Sequence, residues 1–301
     1  MAAITLKMND FLSALVNKVA FQEVLTKTYE NPIARFKKGN IPLGYTGEFI
    51  HINPAELEDY TRPVAPLHTD PFSAKDPVAF ADFLTVNEDK IASTLLSEDY
   101  LSDAFTSYEK FYEMTQQIVS SLYSGNNIYE RDLMLRNVVS GFGAGVRAVS
   151  SLALPTNETT AQAAILAIKD ASADMRDPSS DFIAESFADA GALSWVDYDN
   201  QVIIMTNRMK NRLEVYARSV AYNVGNLDFL PPIITVNNIG TIDNKAIHTV
   251  IMDVAALQIR DKIFRVDSLY NPADGTLNYW LRRRTMSGFV GFANAKAFTE
   301  V

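Results

Sequence analysis

The sequence predicts an α+β protein, and three observations predict it. Strand-like runs at 201–206 (QVIIMT), 232–237 (PIITVN) and 247–252 (IHTVIM) are unequally spaced, so they do not read as regular βαβ units. A helical pattern covers 104–124: Phe105, Tyr108, Tyr112, Val119 and Leu122 form one apolar stripe, widened by Phe111, Met114 and Ile118. Near the end, KIFRVDSLY and TLNYWLRRRTMSGF flank Asn271–Gly275 (NPADG). There proline fixes φ and Gly275 supplies the unusual backbone angle, so a long hairpin is expected.

The other elements follow in chain order. Residues 10–28 read as an amphipathic helix, with Phe11, Leu12, Leu15, Val16, Val19 and Val24 mostly at helical spacing and Asn9 or Asp10 as the cap. Asn31–Gly44 (NPIARFKKGNIPLG) sets Pro32, Gly39, Pro42 and Gly44 around Arg35, Lys37 and Lys38; it is too punctuated for a helix and too apolar for a solvated linker. Gly47–Asn53 (GEFIHIN) alternates like a strand. Residues 54–77 carry five of the twelve prolines (Pro54, Pro63, Pro66, Pro71, Pro77), and Val78–Asn87 (VAFADFLTVN) returns as a strand. Such an extended hairpin is marginal alone in water, so it must lie on something, and its own domain is not the only candidate. Gly125 is expected to break or bend the helical region, with a second helix over 128–142 ended by Gly141–Gly145 (GFGAG). Further helices are expected at 159–175 and 207–222, the latter capped by Asn207, and residues 290–301 form a last strand. No internal repeat or low-complexity tract appears.

Composition bounds the function. The 301 residues suit one large or two smaller domains, and 48% apolar content supports a packed core. The chain has no cysteine, which excludes disulfides, thiolate metal sites and cysteine nucleophiles and fits a reducing compartment. Only His51, His68 and His248 offer imidazole chemistry. The first residues lack a signal-peptide pattern, and no run approaches the length of a membrane span, so a soluble protein made in the cytosol is expected. The net charge is −9, unevenly spread: Glu48–Glu109 holds thirteen acids and three bases (net −10), the rest 23 acids and 24 bases (net +1). This acidic third is either a solvated surface or an arm that meets a basic surface on another molecule.

Individual motifs point away from catalysis. Ser140–Gly145 (SGFGAG) resembles a nucleotide-binding loop, but a helix precedes it where a strand is required, so a hinge or helix terminator is the better reading. The pairs His68/Asp70 and Asp197/Asp199 lack the three or four converging ligands of a metal site. No G-x-S-x-G elbow occurs, and the Asn157 sequon (NET) has no secretory signal to make it active. Arg282, Arg283 and Arg284 lie in a predicted strand, with Arg282 and Arg284 on one face and Arg283 on the other. They suit intersubunit ion pairing better than DNA phosphates, because the chain is acidic overall. The basic face of Asn207–Arg218 reads as a solvated helix. No cofactor loop or convergent acid–base pair stands out, which argues against an enzyme; a soluble α+β enzyme with a lid at 54–77 is the alternative.

Asn31–Ile50 (NPIARFKKGNIPLGYTGEFI) closely resembles a segment of major capsid proteins from short-tailed phages of the phi-twenty-nine type. Ser97–Phe105, Gln117–Met134, Leu227–Ile239 and Gly291–Phe298 resemble further segments of that family in the same order. The resemblance implies the tailed-phage major capsid fold (HK-ninety-seven-like, or Johnson, fold). It implies an N-terminal arm at 1–30, an extended loop at 42–87, a peripheral domain of 31–41, 88–125 and 262–301, and an axial domain at 126–261. The loop would lie across a neighbouring copy, needing no core of its own, and Arg35–Gly39 would be its stiff root. A nanocompartment shell shares this fold and is a second alternative.

The resemblance further implies pentamers and hexamers in an icosahedral head around double-stranded DNA held non-specifically. A scaffolding protein, a portal protein at one vertex and assembly in the host cytoplasm are implied as well, with no membrane, metal or cofactor. The chain stops at the closing strand, so an appended immunoglobulin-like domain is not expected. Nor is a built-in scaffold segment or a covalent cross-link through Lys75. The expected intersubunit contacts pair Arg35, Lys37, Lys38, Arg282, Arg283 and Arg284 with acidic residues of the loop, Glu56, Glu58, Asp59 and Asp70.

Overall fold

Three sheets organise residues 27–42, 46–57, 76–97, 108–143, 146–147, 149–217 and 231–301, which the computed structural model describes. The strands are β1 (Lys37–Asn40), β2 (Gly47–Ile52), β3 (Ala79–Leu84), β4 (Val86–Ser97), β5 (Val149–Ser151), β6 (Gln201–Thr206), β7 (Ile233–Val236), β8 (Thr241–Ile242), β9 (Lys245–Asp253), β10 (Leu257–Asn271), β11 (Thr276–Phe289) and β12 (Ala295–Thr299). The helices are α1 (Tyr108–Ser140), α2 (Glu158–Asp174), the single turn α3 (Glu185–Ala188) and α4 (Asn207–Ala217).

Two compact units emerge. The first takes 1–45, 86–134 and 259–287; the second takes 46–85, 135–258 and 288–301. The first contains the sheet β1-β10-β11-β4. β1 runs parallel to β10, and β11 runs antiparallel to β4 from Thr276↔Ser97 to Thr285↔Glu88. Gly275 takes φ +58° in the turn joining β10 to β11, the role predicted for it. Ile33, Phe36, Leu96, Ile118, Leu122 and Leu281 are among the unit's buried apolar residues.

The second unit contains the sheet β5-β12-β9-β6-β7, with β8 paired to β9, and the ribbon β2-β3. β6 is buried at all six positions, which is why its sequence is a continuous apolar run rather than an alternating one. Ala161, Ala164, Ile168 and Ala171 line one face of α2 and pack with Met209 and Leu213 of α4 on Ile203, Met205, Ile251 and Phe298 of the sheet. The small alanines let the α2 backbone come close. Asn157, the residue of the sequon, caps α2: it accepts from Thr160 N (2.9 Å), and the Thr160 hydroxyl closes a capping box.

Several expectations are corrected. Gly125 does not break the chain; α1 runs through it as one helix. No atom lies within 4 Å of the place a Cβ would take there. The cost of a helical glycine, about 1 kcal/mol, is outweighed by burial of Ile118, Leu122, Leu133 and Met134 on either side, each worth roughly 1.5–3 kcal/mol. The α4 cap is Thr206, whose Oγ1 accepts from Met209 N (3.4 Å), not Asn207. Among the described residues β6 and β7 are parallel with α4 between them in sequence, a single such unit that leaves the expected irregular strand spacing in place. The piece expected as 262–301 divides. Residues 262–287 fall in the first unit, whereas β12 pairs with β9 and β5 in the second. Residues 126–134, expected with the axial domain, belong to the first unit. The helix expected over 10–28 lies almost wholly outside the described residues; 27–30 has no regular structure.

His248 on β9 is buried; its Nε2–H donates to Leu152 O (2.7 Å) and its Nδ1 faces the Thr249 hydroxyl (3.1 Å). Burial pushes its pKa below the ordinary 6.5, opposed by the hydrogen bond to Leu152 and the charge of Glu300. The unfolded chain therefore binds the proton first as pH falls, and His248 withdraws stability once pH drops below about 6.5. Thermal unfolding at pH 7.5 and pH 5 should show a smaller acid loss for His248→Gln than for the unsubstituted chain.

Candidate assembly interface

The basic turn near the start of the chain is tied into a buried charge cluster. Asn31 Oδ1 accepts from Ile33 N (3.1 Å), a single 3-10 turn follows over Ala34–Phe36, and Phe36 is fully buried. That geometry aims Lys37 inward, where its Nζ lies 2.7 Å from Asp261 Oδ2 and 3.2 Å from Glu130 Oε2. Arg283, only 2% exposed, bonds the same two carboxylates: Nη1 to Glu130 (2.9 Å) and Nε to Asp261 (3.0 Å). Asn126 Oδ1 accepts from Arg283 Nη1 (3.2 Å), and the Thr285 hydroxyl donates to Asp261 (3.0 Å). Two cations and two anions cancel, the condition under which buried charges are tolerated. Arg283, buried among these partners, thus bonds within its own chain, correcting its assignment to an intersubunit contact, while Lys37 shares the same carboxylates with its side chain a third exposed. Their partners Glu130 and Asp261 lie too far away in sequence to be foreseen.

The alternation predicted for the three arginines holds. With Arg283 inward, Arg282 and Arg284 stand on the other face of the sheet, half-exposed, both facing Asp89 of β4 at 3.6 and 3.7 Å. Ile91, opposite Arg282 in register, and Leu95 are exposed beside them. Arg35 is exposed, its guanidinium 5.9 Å from the Phe36 ring centre; Lys38 is half-buried. Glu56 is exposed, whereas Glu58, Asp59, Asp70, His68 and Lys75 lie outside the described residues. Among the described residues no three metal-ligating side chains cluster, and no helix is long and apolar enough to cross a membrane.

The β2-β3 ribbon has two different faces. Its inward side chains are Phe49, His51, Phe80, Asp82 and Leu84. His51 Nε2–H donates to Leu193 O (2.7 Å) and stacks on Phe292. Asn53 both donates to Gly191 O (2.8 Å) and accepts from Leu193 N (3.1 Å). Asp82 accepts from Gly291 N (2.7 Å), and Phe80 packs edge-on to Phe187. The ribbon's root therefore has a seat on its own chain, correcting the expectation that it needs none.

That seat is organised by Arg147, which sequence reasoning passed over because a lone arginine after a glycine stretch carries no signal. Its buried guanidinium donates to the carbonyls of Gly141, Phe182, Val290, Gly291 and Ala293. Burial lowers its pKa to about 10, with Asp82 opposing the shift, so it remains charged at neutral pH. The outward face has no such partners among the described residues. Ile50, Ile52 and Phe83 are 61%, 59% and 60% exposed.

Comparison with known proteins decides what this exposed ribbon belongs to. The model of the Phi29-like phage major capsid protein family matches residues 4–299. The chain belongs to that family. It is 26% identical over 299 residues to the major capsid protein of Bacillus phage GA-1, covering 97% of this chain and 61% of that protein. It is 23% identical over 295 residues to that of Bacillus phage PZA, covering 97% and 64%. The chain thus spans a little under two thirds of the length of these relatives. A chain in the capsid structure of Staphylococcus phage Andhra superposes with a TM-score of 0.69 at 12% identity, over 94% of this chain and 88% of that one. The fold is that of tailed-phage capsid proteins, as the Asn31–Ile50 resemblance implied.

Within this Phi29-like capsid chain, Arg283→Met should cost about 3–5 kcal/mol in urea unfolding, because Glu130 and Asp261 are left with Lys37 alone. In Gly291→Ala, the new Cβ would strike the Phe187 ring beneath the ribbon. It should lower stability by roughly 1–3 kcal/mol, read by the same measurement.

Proposed function

We propose that this chain is a shell subunit whose copies assemble, as pentamers and hexamers, into the icosahedral head of a phage around packaged double-stranded DNA. The single observation that carries this reading is the outward face of the β2-β3 ribbon. Three large apolar side chains more than half exposed on a two-stranded ribbon are a poor surface for a solitary molecule and a good one for a second copy. Family membership supports a structural rather than catalytic role.

In this reading the acidic segment from Glu48 to Glu109 of one copy, including Glu56, Glu58, Asp59 and Asp70, approaches the outer face of the β1-β10-β11-β4 sheet of the next. Arg282 and Arg284 present charge there beside the exposed Ile91 and Leu95, with Arg35 and Lys38 nearer the root. Exposed ion pairs contribute only about 0–1 kcal/mol each, so the charges set register while apolar contact supplies affinity. Permanent interfaces bury about 2,000–5,000 Å² in total, which asks for several such surfaces per copy. A separate scaffolding protein, a portal at one vertex and assembly in the host cytoplasm complete the proposal.

Electron microscopy of purified protein, with and without a co-expressed scaffold, tests it: closed particles are expected, and a permanently monomeric protein refutes it. The double variant Arg282→Glu/Arg284→Glu should unfold within about 1 kcal/mol of the original chain yet form no closed particles. Normal particles from this variant at both low and high salt would refute the charge-pairing part.

A further inference from the structure

The sheet of the first unit has an open edge. β1 pairs only with the start of β10, from Ile259 to Asp261, and the pairing ends where Ile41 N donates to Asp261 O (2.9 Å). β10 continues through Lys262–Asn271, with β11 on one side and no paired strand on the other among the described residues. Folded proteins usually blunt such an edge by keeping it short, twisting it away with a bulge, or placing proline on it. This open run is about 33 Å long. It contains no proline and leaves Phe264, Leu269 and Tyr270 exposed. Arg265 and Asp267 stand together on one face of it, Nε to Oδ2 2.8 Å, both exposed.

The run complements itself. Two copies laid antiparallel, with Val266 on the two-fold axis, bring Arg265 of each opposite Asp267 of the other, and Ile263 opposite Leu269 on the same face. On the other face Val266 meets Val266 and Lys262 meets Tyr270. The ion pair that each chain already holds is kept, and the two pairs form a square of alternating charge. That square fixes the register. Sliding one strand by two residues sets Arg265 against Arg265 in one direction and Asp267 against Asp267 in the other, and like charges directly opposite are destabilising. The open main-chain groups and the exposed apolar side chains supply the attraction. The opposite edge of the sheet, β4, has no equivalent: the register that matches Lys90 with Glu88 sets Asp89 against its own copy. We propose that β10 pairs edge to edge with β10 of a second copy across a two-fold axis, joining two four-stranded sheets into one. This contact is separate from the ribbon face, and its place in a shell rests on the assembly reading above.

The chain has no cysteine, so one introduced thiol reports the pairing. In the full chain, Val266→Cys sets two thiols directly opposite, with Cβ atoms about 5 Å apart and near disulfide range. Ser268→Cys sets them four residues out of step, about 13 Å apart. On mild oxidation Val266→Cys should form covalent dimers at least about ten-fold faster than Ser268→Cys. Equal rates, or no dimer from Val266→Cys, overturn the pairing.

Charge is tested in the Val266→Cys background. Arg265→Asp and Asp267→Arg, each alone, set like charges across the axis, and each should dimerise at least about ten-fold more slowly. An Arg265→Asp chain mixed with an Asp267→Arg chain again places opposite charges face to face, so heterodimers should form at close to the original rate. The pair within each chain stays broken throughout, so recovery on mixing reads only the contact between copies, and its absence overturns the register. Covalent dimers in a protein that never forms closed particles uphold the pairing and overturn the shell reading. Closed particles of Val266→Cys that yield no dimer on oxidation overturn the pairing and leave the shell reading intact.

Discussion

Three buried charges, Glu130, Asp261 and Arg283, together with the half-buried Lys37, sum to zero and set the terms for the first unit. Lys37, Glu130, Asp261 and Arg283 come from the first strand, the long helix and the two strands of the terminal hairpin. None of them can be removed alone without stranding a charge of the opposite sign away from water. The cluster also explains the crowded segment Asn31–Gly44. Its turns bring Lys37 onto two buried carboxylates within a few residues of the point where the chain leaves for the ribbon, so the departure point is anchored electrostatically rather than by apolar packing alone.

The second unit solves a related problem by different chemistry. The ribbon's inward side chains address main-chain atoms and rings: His51 and Asn53 take the backbone at 191–193, Asp82 takes Gly291 N, and the aromatic rings fill the space between. Arg147 holds the same 290–293 turn from behind through three of its carbonyls. One side of a two-stranded ribbon is satisfied in this way, and the pleat turns the alternate residues Ile50, Ile52 and Phe83 outward, where they are more than half exposed. The surface offered for assembly is thus the geometric complement of the surface used for folding.

How much of this was legible depended on range. The alternation that separates Arg283 from Arg282 and Arg284, the buried run of β6 and the positive φ of Gly275 are local properties, and each was readable. The ribbon was readable too, from strand, prolines, strand. The partners were not. Lys37 and Glu130 are 93 positions apart, and Arg283 and Asp261 are 22 apart, so a cluster of arginines looked like surface charge when one of them was interior. Gly125 misled for a related reason: its local preference is outweighed by burial spread along the rest of the helix. Asn157 was legible as a sequon without a signal to make it active, and its capping of α2 was missed because capping and a sequon share the same residues. The family itself was readable from Asn31–Ile50, ahead of any tertiary contact.

The clamp formed by His51 and Asn53 has a consequence for how this protein can vary. It grips carbonyl and amide groups, which every residue possesses, so the exposed Leu193 can change identity without loosening it, whereas the fully buried Ala192 between the gripped residues must stay small. Gly191 is different: its φ of +83° lies where an L side chain is strained. Mutational drift in this corner is therefore gated by one torsion angle and by the space around one buried methyl group, and the ribbon's seat is inherited through backbone shape more than through side-chain chemistry.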